Sequence, residues 1–175
     1  MTEYRCLEPQ DLEEFLERRR AIPSFAFDMS LATNLSAVLR KANEFVPSAA
    51  GSILLDNPND KKRSREDNSL TFIAAFGDKA EELLGREIAS GTGIAGHVYL
   101  SGESYIASDA SDDILFDPEV DEESGYRTES LVAIPVRIEK DVCGVLELVN
   151  RRGAESYSQR DLNLLEIFAD YISIS

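Results

Sequence analysis

The chain is poor in the residues that bind zinc and close disulfides. Its 175 residues include one histidine, His97, and two cysteines, Cys6 and Cys143. Two thiols make no disulfide framework in a chain of this length. One imidazole with two thiols falls short of a zinc set unless carboxylates join it. We therefore expect no metal site and no catalytic constellation. Positive charge is also scarce: 18 Lys and Arg stand against 33 Asp and Glu, for a net charge of −15. Nucleic-acid backbones and anionic lipid heads carry the same sign, so broad contact with either is disfavoured. No stretch approaches the ~18–20 apolar residues that span a bilayer. The opening Met1-Thr-Glu-Tyr-Arg-Cys6 lacks the apolar core of a signal peptide. No internal repeat or low-complexity tract interrupts the chain. A cytoplasmic protein that contacts neither nucleic acid nor membrane is the expectation.

What is present is globular. Hydrophobic residues make up 43% and charged residues 29%, a balance that suits one domain of ordinary size. A chain this long buries roughly 70% of the surface its unfolded form exposes, so it needs no covalent staples. Pro9 to Arg20 reads as a short helix, with Leu12, Phe15 and Leu16 on one stripe. Residues 1–29 are taken as a tail carrying that helix, and residues 30–175 as the domain. Ser30 to Val46 is a stronger helix: Leu31, Leu35, Val38, Leu39, Ala42, Phe45 and Val46 recur at three- and four-residue steps, and Pro47 ends it.

Ser52 to Asp56 and Leu70 to Phe76 read as a hairpin across Asn57-Pro58-Asn59-Asp60. The one basic cluster, Lys61-Lys-Arg-Ser-Arg65, falls in that connection and suits a solvated tip. Asp78 to Leu84 fits one or two helical turns, and Ile94 to Leu100 a short helix stopped by Gly102. Tyr105 to Ser108 is a short strand, and Ile114 to Val120 a loose helix. Ser130 to Ile138 and Val142 to Asn150 form a second hairpin. Ser158 to Ile174 closes the chain as a helix, with Ser158 and Asp161 as a near capping box. Hairpins with flanking helices point to an α+β protein: an antiparallel sheet with helices on both faces.

Four segments carry the most information. They are Gly91-Thr-Gly-Ile-Ala-Gly96-His97-Val98, Phe116-Asp-Pro-Glu-Val-Asp121-Glu-Glu-Ser-Gly125-Tyr126-Arg127-Thr128, Leu131-Val-Ala-Ile-Pro135-Val136 and Val142-Cys-Gly144-Val-Leu-Glu147-Leu-Val-Asn150. The glycines match the dinucleotide fingerprint literally. That fingerprint requires a buried strand before them and a full helix after them, in a βαβ unit, and neither flank fits. A tight turn into a helix start remains, where outward-pointing amides favour an anion. The acids from Asp112 to Glu123 lack the Gly and Glu of a calcium loop, because its sixth and twelfth positions counted from Asp117 are Glu122 and Thr128. They read as a solvated acidic lid. Glu147 lies in the apolar run Val145-Leu-Glu-Leu-Val149. It must face either water or a polar pocket, since an unpaired buried carboxylate costs several kcal/mol. A lone histidine after the glycines suits a helix surface or pocket rim better than a general base. Cys143 suits a small buried hydrophobe, and Cys6 a mobile tail.

In order and spacing these segments resemble GAF domains, within them the branch of cyclic-nucleotide-regulated phosphodiesterases and adenylyl cyclases. The resemblance spans roughly Ser30 to Ile174. It implies a PAS-like fold: a six-stranded antiparallel sheet, terminal helices on one face and a ligand pocket on the other, with the acidic segment closing over the ligand. It also implies a non-enzymatic sensory or regulatory domain in signal transduction. Such a domain holds a small molecule, with a cyclic nucleotide among the candidates. The matching ligand-binding positions are Ser52, Phe76, Ile94, Ala95, Tyr126, Thr128 and Glu147. Hydroxyls and amides there suit phosphate or ribose, apolar groups suit a purine, and the carboxylate suits a base N–H. Of the family's Asn-Lys-Phe-Asp-Glu signature, Asn150, Arg151, Tyr157 and Asp161 match with two conservative changes, while Leu162 replaces the glutamate. An Arg151–Asp161 pair would tie the last strand to the closing helix. Gly77 stands where some binders place a base-reading aspartate, with Asp78 adjacent. Asp117 replaces an aromatic and would repel a phosphate.

Two other readings stay open: a ligand-free dimerisation module, and a free methionine sulfoxide reductase. The second needs an exposed, low-pKa thiol near residues 91–121, which neither cysteine provides. A homodimer is expected because the closing helix carries two apolar stripes. Leu162, Leu165, Phe168, Ala169 and Ile172 form one; Leu164, Ile167, Tyr171 and Ile174 form the other. A sheet covers one such face and leaves the second for a partner or for the Ser30–Val46 helix.

Overall fold

The computed structural model describes residues 2–8, 30–56, 65–138 and 140–174. The expected Pro9–Arg20 helix and most of the Lys61–Arg65 cluster lie outside the described residues. One antiparallel sheet organises the rest. Its strands are β1 (Tyr4–Cys6), β2 (Ser48–Asp56), β3 (Ser69–Phe76), β4 (Glu87–Ala89), β5 (Tyr105–Ala107), β6 (Leu131–Ile138) and β7 (Asp141–Arg151). Their order is β1-β3-β2-β7-β6-β5, with β4 also on β3. Both expected hairpins form, β2–β3 and β6–β7, and β2 pairs with β7 to join them at the centre.

The sheet is the expected one with a strand more than six. Tyr4–Cys6, expected as part of a tail, pairs with the far end of β3, Tyr4 opposite Phe76 and Cys6 opposite Ala74. A three-residue stretch is too short for a period-2 pattern to stand out. Burial holds it: Tyr4 and Cys6 pack against the main core.

Among the described residues five α-helices flank the sheet: α1 (Ser30–Phe45), α2 (Ala80–Leu83), α3 (Gly93–Ser101), α4 (Glu119–Ser124) and α5 (Gln159–Ile174). The helix expected over Ile114–Val120 is displaced. Ile114 is 94% exposed, and α4 begins only after Pro118. Proline presets the first turn, and Glu119, Asp121 and Glu122 then sit at the positive end of the helix dipole. Before it, the Asp113 carboxylate accepts the Leu115 amide at 2.9 Å and holds a turn instead.

The strands alternate between two cores. On one face lie α1 and α5. Leu35, Leu39 and Ala42 of α1, with Val46 beyond it, meet Leu162, Leu165 and Ala169 of α5 over Ile53, Ile134, Leu146 and Leu148. On the other face α3 packs Ile94, Val98 and Tyr99 against Leu54, Leu70, Val145 and Val149. The expected Ser158–Asp161 cap forms in full: the Ser158 amide donates to Asp161 at 2.9 Å, and the Asp161 amide donates to the Ser158 hydroxyl at 3.2 Å. Arg151 grips the same carboxylate with two N–H groups at 3.0 and 3.2 Å, tying β7 to α5. Burial works against the Asp161 charge, but Arg151 and the Ser158 cap outweigh it and hold the carboxyl below its ordinary value.

Candidate functional site

The α3 face does not close completely. A cavity of about 260 Å³ lies between the sheet, α2, the start of α3 and α4, just under the ~300–1,000 Å³ usual for small-molecule sites. All seven residues singled out from the sequence, Ser52, Phe76, Ile94, Ala95, Tyr126, Thr128 and Glu147, line it.

Strand periodicity sets the floor. Val145, Glu147 and Val149 point to this face, while Leu146 and Leu148 point to the other. Glu147 is register partner to Ser52 on β2, and the Ser52 hydroxyl donates to Glu147 Oε1 at 3.2 Å. The part of Glu147 that stays accessible opens into the cavity. Burial pushes its carboxyl up from 4.5 to about 7; the Ser52 hydrogen bond opposes the rise and the Asp121 charge adds to it. Phe76 ends β3 with its ring 5.1 Å from that of Tyr4.

The glycine turn forms the wall. It carries no βαβ unit, since β4 runs antiparallel to β3. Gly91 takes φ 83°, and a Cβ on Gly96 would lie 2.6 Å from the Gly91 nitrogen. Glycine at both positions lets α3 fold back onto its own turn and brings buried Ile94 and Ala95 to the cavity. His97 lies outside the cavity, on the rim of a second hollow, with its ring 5.6 Å from that of Tyr105.

The acidic segment forms the lid. Phe116, Asp117, Glu119, Val120 and Asp121 line the cavity from above. Asp121 fastens the lid to the strand side, accepting the Thr128 amide at 2.7 Å and the Thr128 hydroxyl at 2.8 Å. Arg86, before β4, bridges to Glu123 on the opposite side. The segment after the lid hangs on Asn150, which sits at φ 60° as the one described non-glycine residue of positive φ. Its Oδ1 accepts the amides of Glu129 and Ser130 at 2.6 and 3.1 Å, and its Nδ2 donates to Tyr126 Oη and the Arg127 carbonyl at 3.1 and 2.9 Å. Burial foremost, with the charges of Asp78 and Asp121, pushes the Tyr126 phenol above its ordinary value despite the Asn150 hydrogen bond.

Sequence reasoning had Asn150 as part of a signature and Asp121 as solvated acid; neither stood among the site residues. Arg86 and Lys79 were missed altogether. The signal for Asn150 is chemical, because asparagine tolerates the left-handed region better than most residues. The Arg86–Glu123 bridge leaves no local pattern. Five carboxylates, Glu87, Asp117, Glu119, Asp121 and Glu147, line the cavity against two cations, Lys79 and Arg86. Both cations already face partners, Lys79 with Glu82 at 3.7 Å and Arg86 with Glu123.

Neither cysteine lines the cavity. Burial pushes the Cys6 thiol up to about 11, and the buried Cys143 thiol donates to the Val136 carbonyl at 3.4 Å. Among the described residues no group of three or more His, Cys, Asp and Glu is placed to hold a metal ion. No described helix is long and apolar enough to cross a membrane.

Residues 28–175 match the family description "GAF domain". The chain belongs to the GAF domain family. Among curated relatives it is 38% identical, over 88 residues, to a dual 3',5'-cyclic-AMP and -GMP phosphodiesterase 11 of Drosophila melanogaster; the match covers 50% of this chain and 6% of that protein. It is 26% identical to a probable 3',5'-cyclic phosphodiesterase of Caenorhabditis elegans, with 95% of this GAF domain and 24% of the relative covered. The chain thus spans a quarter or less of these relatives. Among solved structures it superposes on a type II free methionine-R-sulfoxide reductase from Thermoplasma acidophilum with a TM-score of 0.63 at 17% identity, over 81% of this chain and 89% of the other. At that identity the likeness is one of fold.

Proposed function

We propose that this GAF domain is a sensory module of signal transduction that holds a small molecule in the cavity over Ser52 and Glu147 and does no chemistry on it. The observation that carries this reading is the convergence of seven residues, drawn from five separate stretches of chain, on one lidded cavity with a carboxyl at its floor. A ligand that settles the lid acts on Asp121 and Thr128. From there the Tyr126–Ser130 segment, Asn150 and the adjoining Arg151–Asp161 pair lead to α5. Population shift along that route is the route of output. The names of the phosphodiesterase relatives favour cyclic nucleotides as the first ligands to try, and the Ser52 and Thr128 hydroxyl oxygens can accept from a ribose hydroxyl.

Native mass spectrometry of gently purified protein tests this. A small-molecule adduct lost on denaturation and weakened in Glu147→Ala supports it. An empty protein whose melting responds to no metabolite in a broad screen overturns it in favour of pure scaffolding.

The reductase reading is weaker. Cys6 and Cys143 both lie off the cavity, and the Cys6 thiol is nearly all protonated at neutral pH. Turnover of methionine sulfoxide with a thiol reductant would revive it. We further propose a cytoplasmic homodimer joined through α1 and α5, with no nucleic-acid or membrane contact. Phe45 and Ile167 are each 55% exposed, and the Phe45 ring lies 5.5 Å from that of Phe168 across the two helices. This leaves an apolar ridge of the kind that marks an interface.

A further inference from the structure

An acid stands beside the place where an anion would be expected. The first turn of α3 leaves amides pointing outward and carries the positive end of the helix dipole. Asp117 lies against it: its Cβ is 3.4 Å, and its amide nitrogen 3.8 Å, from where a Cβ on Gly93 would stand. The Asp117 carboxylate also accepts the Glu119 amide at 3.0 Å, which fixes it at the head of the lid. Asp117 and Gly93 both line the cavity. A phosphate entering there would meet a carboxylate of the same sign within the reach of unscreened Coulomb repulsion.

The two cations on the remaining walls are each shared with another acid. Arg86 is bridged to Glu123 and Lys79 faces Glu82. The floor offers an acceptor instead: the Glu147 carboxyl, free beyond its one contact with Ser52, while Asp121 in the lid above it is held by Thr128. Flat apolar surface comes from Phe72, Phe76, Phe116 and Tyr126. Acceptors between aromatic walls match a planar ring that donates N–H bonds.

We propose that the cavity takes a flat heterocycle that presents N–H donors to Glu147 and carries no anionic group, so that a purine nucleoside binds it more tightly than the matching cyclic nucleotide. This rests on the sensory reading above and narrows its ligand. Affinities of the native protein for adenosine, guanosine and their 3',5'-cyclic monophosphates, measured by calorimetry at low salt, give the test. A nucleoside is expected to bind on the order of tenfold more tightly than its cyclic nucleotide, the scale of one charge at a helix terminus. Raising the salt should narrow the gap by screening. Asp117→Asn should narrow it further by improving the cyclic nucleotide alone. The salt series needs no variant, so it decides even if Asp117→Asn folds poorly. A cyclic nucleotide that binds as tightly as its nucleoside at low salt overturns the inference and leaves the sensory domain intact. Failure of both nucleosides to bind overturns it too, and the sensory reading then stands on the native-mass result alone.

Discussion

The two faces of the sheet are built from the same strands and come out differently. On the α1–α5 face most strand positions meet hydrocarbon: Ile53, Ile134, Leu146 and Leu148 are each no more than 1% exposed, and buried Ser48 takes a hydrogen bond from the Tyr157 hydroxyl. On the α3 face the neighbouring positions Ser52 and Glu147 are polar, the covering helix is nine residues long, and a lid of acids stands where a second long helix would go. The first face is close-packed, so a lost methylene is felt there. The second spends burial on a carboxyl whose charge the site must satisfy, which is the pattern of a surface kept for something else to fill.

Breaking the packed face should give the largest effect. Leu39→Ala, at a fully buried position of α1, is expected to cost about 2–5 kcal/mol of unfolding free energy. Urea titration should register this while ligand affinity per folded molecule stays the same. A loss under about 1 kcal/mol would mean that this face is no better packed than the other.

Arg151→Ala removes the partner of a mostly buried carboxylate, and about 1–3 kcal/mol should be lost at pH 7. The folded carboxyl of Asp161 titrates below its unfolded value. Its stabilisation is therefore present above the unfolded value and fades as pH falls through the folded one. The variant and the native protein should converge in acid; equal differences at pH 7 and at pH 2 would refute the pairing account.

Glu147→Gln sharpens the contrast in the other direction. The folded carboxyl titrates near 7 against an ordinary 4.5, so the native state holds the extra proton between those values. Stability then falls as pH rises through that window. The amide, which has no proton to lose, should be more stable than native by about 1–3 kcal/mol at pH 8 and should flatten the slope between pH 5 and 8. Denaturation at several pH values checks the sign: a variant less stable than native at pH 8 would show that the carboxylate is satisfied, with no ligand needed. The same variant should bind a nucleoside more weakly.

The smallest effect lies outside both faces. Phe45→Glu with Ile167→Glu should change monomer stability by no more than about 1 kcal/mol per site yet dissociate the proposed dimer. Sedimentation at micromolar concentration reads it. A single 19.4 kDa species for native and variant alike would mean that α1 and α5 cover each other and nothing more.

Much of this was legible beforehand, for identifiable reasons. The hairpin strands are short apolar runs bounded by turn residues, α1 buries Leu35, Leu39 and Ala42 at the helical spacing read from the chain, and the capping pair Ser158–Asp161 is a local motif. The lost features were those without a periodic or local signal. β1 is three residues long, and the lid helix starts five residues later than its apolar residues suggest, because Pro118 and its acids outweigh Ile114 and Leu115. The Arg86–Glu123 bridge joins residues 37 positions apart and leaves no trace in spacing.

By itself the sequence determined that one acid would interrupt an apolar strand, that glycines would start a short helix, and that acids would outnumber cations wherever the lid lay. These follow from residue chemistry and short-range geometry. Only the tertiary structure decided that Glu147 opens into a lidded cavity rather than onto a bare surface, and that Asp117 comes to rest against the first turn of α3. Alternation says which residues share a face and never what covers it; that depends on contacts between segments far apart in the chain, made when the lid folds over the sheet.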